Sequence, residues 1–176
     1  MDSPNQEFRN TLAELLPRLW RFAVMLTRDR DRADDLLQSA CERALSRHHQ
    51  FRPGTRMDSW LYSIVHSIWK NDIRRDSTRR DILARMPDES AAVDGERVAT
   101  GKIFLSEVLS LMETLPEQQS SAMLLVYVDG LSYDEAAIVL DVPVGTIMSR
   151  LARARLALGR ALDGPADEIR QRESKA

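Results

Sequence analysis

The chain has 176 residues, enough for one medium domain or two small ones, with 43% apolar and 30% charged residues. Seven Gly, seven Pro and only 6% aromatic residues, with recurrent Leu, Ala and Arg, favour helices over sheets. The single cysteine, Cys41, excludes an internal disulfide and fits a cytoplasmic location. The polar N-terminus does not resemble a secretory signal, and the longest apolar stretch, 122–128, is too short to cross a bilayer, so no membrane insertion is expected.

The formal net charge is −2, but the charged residues are unevenly distributed. Residues 70–80 contain five basic residues and two aspartates, and residues 144–160 contain four arginines and no acid. Acidic residues collect instead at 29–35 and 81–96. Two local cationic faces are typical of DNA contact, whereas the low net charge predicts weak DNA binding by the chain alone.

The first half of the chain predicts three helical segments. Apolar residues recur at helical spacing over 12–26, where Pro17 is expected to break or kink the helix. Asp31 is expected to cap a second helix over about 33–47. After a turn at 51–54, Thr55 and Asp58 resemble a capping box at the start of a third helix that ends at about 75–78. Residues rich in Pro, Gly and acids follow and predict a linker.

The second half carries the more specific pattern. A helix over about 116–128 is expected to stop at Asp129–Gly130. Ser132 and Glu135 then form a capping box, and Asp141-Val142-Pro143 predicts a tight turn before a helix that opens at Val144. This order is typical of a helix-turn-helix.

The second helix of this motif has two distinct faces. Its inward stripe is predicted to be Ile147, Leu151, Ala154 and Leu158. Arginine and hydroxyl side chains suit the major groove, where they bond bases and phosphates. The candidate DNA contacts on this helix are Thr146, Ser149, Arg150, Arg153 and Arg155. The alternative is a solvated basic face on a structural helical hairpin.

These residues closely resemble a known family. Segments 115–119, 130–137 and 142–155 are similar to region 4 of extracytoplasmic-function (ECF) sigma factors, segment 33–45 resembles region 2.2, and segment 60–75 resembles regions 2.3 and 2.4. The resemblance implies an all-α fold of two small helical domains joined by a flexible linker. Its expected divisions are sigma region 2 at 1–78, the linker at 79–102, sigma region 4 at 103–163 and a polar tail at 164–176.

The resemblance also implies a function and partners. The expected function is promoter-specific initiation with core RNA polymerase, in a stress or envelope response controlled by an anti-sigma factor. Region 2 is expected to contact the β′ clamp of the polymerase through Asp34, Asp35 and Gln38, and region 4 to contact the β flap. The residues expected to recognise and melt the downstream promoter DNA are Trp60, Tyr62, Ser63, His66, Ser67, Lys70, Asn71, Arg74 and Arg75. Met148, Ala152 and Ser67 depart from common family residues, which affects the base sequence recognised.

Other classes of function fit less well. His48 and His49 are adjacent rather than four residues apart, and the sequence has no phosphate-binding glycine loop or Gly-x-Ser-x-Gly turn. We therefore expect no enzyme activity, catalytic residues, metal or cofactor. A helix-turn-helix regulator that binds operators as a dimer remains an alternative, as does a helical adaptor that binds only protein.

Overall fold

The computed structural model describes the backbone of residues 4–83, 110–112 and 114–173, and the side chains of 6–76, 110–112 and 114–160. All regular structure within these ranges is helical, which confirms the predicted fold class. The chain divides into two compact units, unit 1 (Met1–Thr100) and unit 2 (Gly101–Ala176). None of the described helices is both long enough and apolar enough to span a membrane.

The described part of unit 1 contains three helices that pack against one another: α1 (Pro4–Thr27), α2 (Arg30–Ser46) and α3 (Met57–Leu83), with a short 3₁₀ turn at His48–Gln50. Each helix contributes one apolar face to a common core, because apolar residues recur every three or four positions. The buried core residues include Leu12, Leu19, Phe22, Ala23, Leu26, Ala33, Leu36, Ala40, Ala44, Leu61, Val65 and Ile68.

Of the two outcomes expected at Pro17, a break or a kink, the break does not occur. The helix is continuous from Pro4 to Thr27, and the proline side chain is exposed on its surface. A proline inside a helix removes one backbone hydrogen bond. Here that loss lies on the side facing solvent, where water can satisfy the carbonyl, and the core face of α1 is preserved.

Both predicted caps in unit 1 were wrong in detail. Asp29, not Asp31, caps α2: its backbone is extended and its side chain accepts a hydrogen bond from the Arg32 amide at 2.9 Å. Thr55 does not cap α3 but closes the preceding turn by donating to the Arg52 carbonyl at 2.8 Å. The carboxylate of Asp58 instead binds guanidinium groups, because opposite charges compete well for a partly buried acid.

Within the residues of unit 2 that the structure describes, a helical segment at 110–112 is followed by three further helices. Helix α4 (Glu117–Met123) continues as a π-helical turn at Leu124–Val128, and α5 (Tyr133–Leu140) and α6 (Val144–Glu173) follow. Both α4 and α5 pack against α6. The buried core residues include Met112, Leu115, Leu124, Leu125, Leu131, Ala136, Val139, Leu140, Ile147, Leu151 and Ala154.

Two expected helix ends differ from those in the structure. Helix α3 runs on to Leu83, beyond the end expected at 75–78, and therefore enters the predicted linker at 79–102. The rest of that linker lies outside the described residues. Helix α6 continues to Glu173, so the predicted polar tail is helical over residues 164–173.

Candidate nucleic-acid interfaces

The helix-turn-helix predicted from the sequence is confirmed in unit 2. The Ser132 amide donates to Glu135 Oε2 at 2.7 Å, and the Glu135 amide donates to Ser132 Oγ at 3.2 Å. This reciprocal pair satisfies two amides at the start of α5. At the other end, Asp141 adopts the left-handed conformation with φ of 50°, and the Val142 amide donates to the Ala137 carbonyl at 3.1 Å. These bonds fix the turn that leads from α5 into α6.

Helix α6 turns its predicted apolar stripe inward. Ile147 and Ala154 are fully buried, Leu151 is 1% exposed, and Leu158 is partly buried. The opposite side carries Arg153, which is exposed, and Ser149, which is half-buried and donates to the Thr146 carbonyl at 2.9 Å. Residues four apart on a helix share a face, so Ser149 and Arg153 project together. Arg155 is exposed and Thr146 is half-buried.

Arg150 differs from the other arginines of α6. Its side chain is half-buried, and its Nη2 donates to Gln118 Oε1 at the start of α4, over 3.2 Å. Burial lowers the pKa of the Arg150 guanidinium, while the nearby Glu117 carboxylate opposes this effect. Arg150 therefore lies on the side of α6 that borders α4, and its bond to Gln118 was not predictable from the local pattern.

The polar face predicted on α3 is only partly present. Ser67, Asn71, Arg74 and Arg75 are exposed, whereas Ser63, Lys70 and Trp60 are half-buried. The Ser63 and Ser67 hydroxyls each donate to a carbonyl of the preceding turn, those of Ser59 and Ile64, at 3.0 Å. A row of amide, hydroxyl and basic groups therefore runs along the outer side of this helix.

Tyr62 and His66 do not lie on that surface. Tyr62 is 0% exposed, and its ring meets Phe22 of α1 edge-on at 5.1 Å between centroids. His66 is 8% exposed and packs against Trp69 at 5.6 Å. Residues 62, 65 and 66 follow helical spacing, and α3 packs against both α1 and α2. The apolar face of α3 is wider than predicted, so these two side chains are placed in the interior.

A cationic turn that was not among the predicted site residues lies next to α3. Residues 47–56 contain three arginines, two histidines and no acid, and all but Phe51 are exposed. Phe51 packs on Trp60 at 5.7 Å and on Phe8 of α1 at 6.3 Å. This turn could have been predicted from the sequence, because no acid occurs between Glu42 and Asp58. Exposed basic groups around partly exposed aromatic rings suit single-stranded nucleic acid.

The three residues expected to meet a polymerase clamp are all exposed on α2. Asp34 accepts a hydrogen bond from Trp20 Nε1 at 2.7 Å, and the Gln38 amide donates to Glu42 at 3.1 Å. Asp35 lines a groove of about 260 Å³ between α2 and α3. The groove is bordered by an ion pair between Arg32 and Asp76 at 3.2 Å. Of these three residues, Asp34 is the one shown with a hydrogen bond to another helix.

Comparison with protein families matches each unit separately. Residues 105–158 match the family model of sigma-70 region 4. Residues 12–66 match the model of the sigma2 domain of PhyR. The first match contains α5, the turn after it and the first half of α6, and the second contains most of α1, all of α2 and the first part of α3.

Individual relatives span most of the chain. The ECF RNA polymerase sigma factor EcfG of Rhodopseudomonas palustris is 33% identical over 161 residues, covering 90% of this chain and 88% of the relative. The ECF RNA polymerase sigma factor SigC of Mycobacterium tuberculosis is 38% identical over 141 residues, covering 80% and 75%. Among solved structures, the sigma factor RpoE of Bartonella quintana, in complex with the anti-sigma factor NepR, superimposes with a TM-score of 0.72 at 28% identity, covering 90% of this chain and 98% of that one. The chain therefore belongs to the extracytoplasmic-function RNA polymerase sigma factors, which direct promoter-specific transcription initiation.

Proposed function

We propose that the two units divide promoter recognition between them, with residues 103–163 reading the upstream element and residues 1–78 recognising and melting the downstream element. The observation that carries this proposal is the helix-turn-helix of unit 2, whose α6 presents arginines and hydroxyls away from a buried stripe. A helix presented in this way enters the major groove, where side chains reach base edges. The contacts we assign to the upstream element are Thr146, Ser149, Arg150, Arg153 and Arg155.

Melting requires that unpaired bases be captured as they leave the duplex. The half-buried Trp60, next to the cationic turn 47–56, offers a stacking surface worth about 1–3 kcal/mol per base. Unpairing a base costs a few kcal/mol, so capture of several bases offsets the cost. The polar contacts we assign to this strand are Ser63, Ser67, Lys70, Asn71, Arg74 and Arg75, with Tyr62 and His66 supporting α3 from the interior.

Core RNA polymerase is the partner that brings the two surfaces to the promoter. The acidic, exposed side of α2 (Asp34, Asp35 and Gln38) is our proposed contact with the β′ clamp, and unit 2 is the proposed contact with the β flap. In this scheme the chain acts in the cytoplasm, because its partner polymerase works there. It supplies binding energy and no chemistry, as a non-enzymatic subunit without a cofactor.

We further propose that an anti-sigma factor of the NepR kind controls this chain. The RpoE relative was solved with NepR bound, and unit 1 matches the sigma2 domain of PhyR. Large apolar side chains are exposed in both units, among them Leu45 and Ile73 in unit 1 and Ile138, Met148 and Leu156 in unit 2. Exposed apolar residues of this size suit a protein partner. Release of such an inhibitor under stress would free the sigma factor for polymerase.

Run-off transcription tests the promoter function directly. Core RNA polymerase with this chain is expected to produce discrete transcripts from promoters of its own genome, and core polymerase alone is expected to produce none. A regulator that binds operators as a dimer would instead shift palindromic duplex DNA without polymerase. A helical adaptor that binds only protein would neither support run-off transcription nor shift duplex DNA. A shift of palindromic duplex DNA without polymerase, or the absence of both a transcript and a shift, would contradict the proposal.

The anti-sigma proposal has a separate test. A NepR-type protein from the same genome is expected to form a stable complex with the chain on size-exclusion chromatography and to abolish the run-off transcript. Charged substitutions of Ile138 and Leu45 should weaken that complex, whereas the same change at the exposed Asn71 should leave it intact. If the NepR-type protein neither binds nor inhibits, this chain is controlled in another way.

A further inference from the structure

Two arginines on α6, three residues apart, are held in different ways. Arg153 is exposed and shares its helical face with Ser149. Arg150 is half-buried, and its Nη2 donates to Gln118 Oε1 at 3.2 Å. The acceptor lies 32 residues earlier, in the first turn of α4. Arg153 therefore points away from unit 2 into solvent, whereas Arg150 is hydrogen-bonded to the neighbouring helix α4.

We propose that Gln118 is a positioning residue that holds Arg150 for contact with a DNA phosphate and leaves base reading to Ser149 and Arg153. This inference rests on the proposed function of α6 as the groove-binding helix. When a helix lies in the major groove, the side chains on its outward face reach base edges, and those at its flank meet the groove wall. That wall is made of sugar and phosphate, and contacts to it set register rather than sequence preference.

The chemistry of the pair suits this role. An arginine has five N–H donors in a fixed fork, so one bond to Gln118 leaves donors for a phosphate oxygen. The acceptor is a neutral amide, so the bond that orients the guanidinium is not itself an ion pair, and the nearby Glu117 carboxylate offsets only part of the charge. Fixing a long arginine side chain on DNA binding costs conformational entropy. Because the bond to Gln118 already restricts the Arg150 side chain in the free protein, less entropy is lost on binding. Gln118 itself is exposed, so its substitution removes little packing.

The test uses the full chain assembled with core RNA polymerase. The probe is a fluorescent promoter fragment from its own genome, chosen by run-off transcription, together with single-base variants of the upstream element. Gln118→Ala is expected to weaken binding about five-fold, equally on every variant, because one side chain must be ordered anew. Arg150→Ala should weaken binding further and lower the salt slope of log K by about 1, as loss of one phosphate contact predicts. Adding Gln118→Ala to Arg150→Ala should then have no further effect.

Gln119→Ala is the control, because Gln119 is the next residue on the same helix and, among the described residues, its side chain forms no hydrogen bond with α6. The Gln119→Ala variant should bind the promoter fragment as tightly as wild type does. The thermal unfolding of each variant, followed by circular dichroism, separates a folding defect from loss of contact. Additive effects of Gln118→Ala and Arg150→Ala, or a changed base preference in either variant, would overturn the inference. If Arg153→Ala leaves both affinity and base preference unchanged, the proposed role of α6 fails instead.

Discussion

Asp58 provides a quantitative test of how unit 1 is held together. Its carboxylate is bound by Arg18 of α1 at 3.2 Å, by Arg56 at 2.7 Å and by the Ser59 amide at 2.8 Å, and its side chain is 12% exposed. A hydrogen bond to a charged group contributes about 1.5–3 kcal/mol. Because Asp58→Asn keeps the volume but loses the charge, we expect it to lower the free energy of unfolding of unit 1 by about 2 kcal/mol.

The same residue predicts a pH dependence. Burial alone raises the pKa of Asp58, but the bonds to Arg56 and Ser59 and the two guanidinium charges outweigh it and hold the pKa below its ordinary value. A carboxyl with a lowered folded-state pKa contributes stability that is present above its unfolded pKa of about 4 and is lost as the pH falls through the lowered value. Wild type should therefore lose its advantage over Asp58→Asn below about pH 4.

Tryptophan fluorescence during urea unfolding isolates this effect, because Trp20, Trp60 and Trp69 all lie in unit 1. Asp72→Asn is the matched control: Asp72 pairs with the exposed Arg75 at 3.5 Å. An exposed pair of this kind contributes about 0–1 kcal/mol. The reasoning would be refuted if the two substitutions had equal effects at pH 7, or if wild type and Asp58→Asn kept the same difference in stability at pH 3.

Three further predictions follow from the described contacts. Tyr62→Ala should destabilise unit 1 by about 3–5 kcal/mol, whereas Tyr62→Phe should keep run-off activity, because the ring fills the core; loss of activity in a folded Tyr62→Phe would contradict this. Ser132→Ala should destabilise unit 2 by about 1 kcal/mol in thermal unfolding followed by circular dichroism. Glu135→Ala should destabilise unit 2 less when it is added to Ser132→Ala than when it is made in wild type, since the two residues form one reciprocal cap. Trp60→Ala should reduce promoter melting, measured by permanganate reactivity, more than polymerase binding, and equal losses would argue against base capture.

The helix-turn-helix was predictable because its signals are local. Ser132, Glu135 and the turn at Asp141 determine their own geometry within a few residues. Apolar spacing on α6 likewise predicted the buried stripe, since the period of a helix fixes which residues share a face. The sequence also showed that a half resembling sigma region 2 precedes a half resembling sigma region 4.

Features that depend on distant residues were not predictable in the same way. The burial of Tyr62 and His66 depends on how α3 packs against α1 and α2, which the local pattern does not show. The bond between Arg150 and Gln118 joins residues 32 positions apart. Pro17 was expected to break or kink α1, and it does not break the helix, because the cost of a proline depends on which side of the helix loses its hydrogen bond.

The central claim is that promoter opening needs both DNA surfaces and that neither is sufficient until polymerase positions them. Permanganate footprinting on a promoter of its own genome measures this directly, because the reagent reacts with unpaired thymines. We predict reactive thymines in the downstream element only when core RNA polymerase and this chain are both present, with strong losses in Arg153→Ala and in Trp60→Ala. Reactivity with the chain alone, or none with core polymerase and the inhibitor-free chain, would contradict the claim.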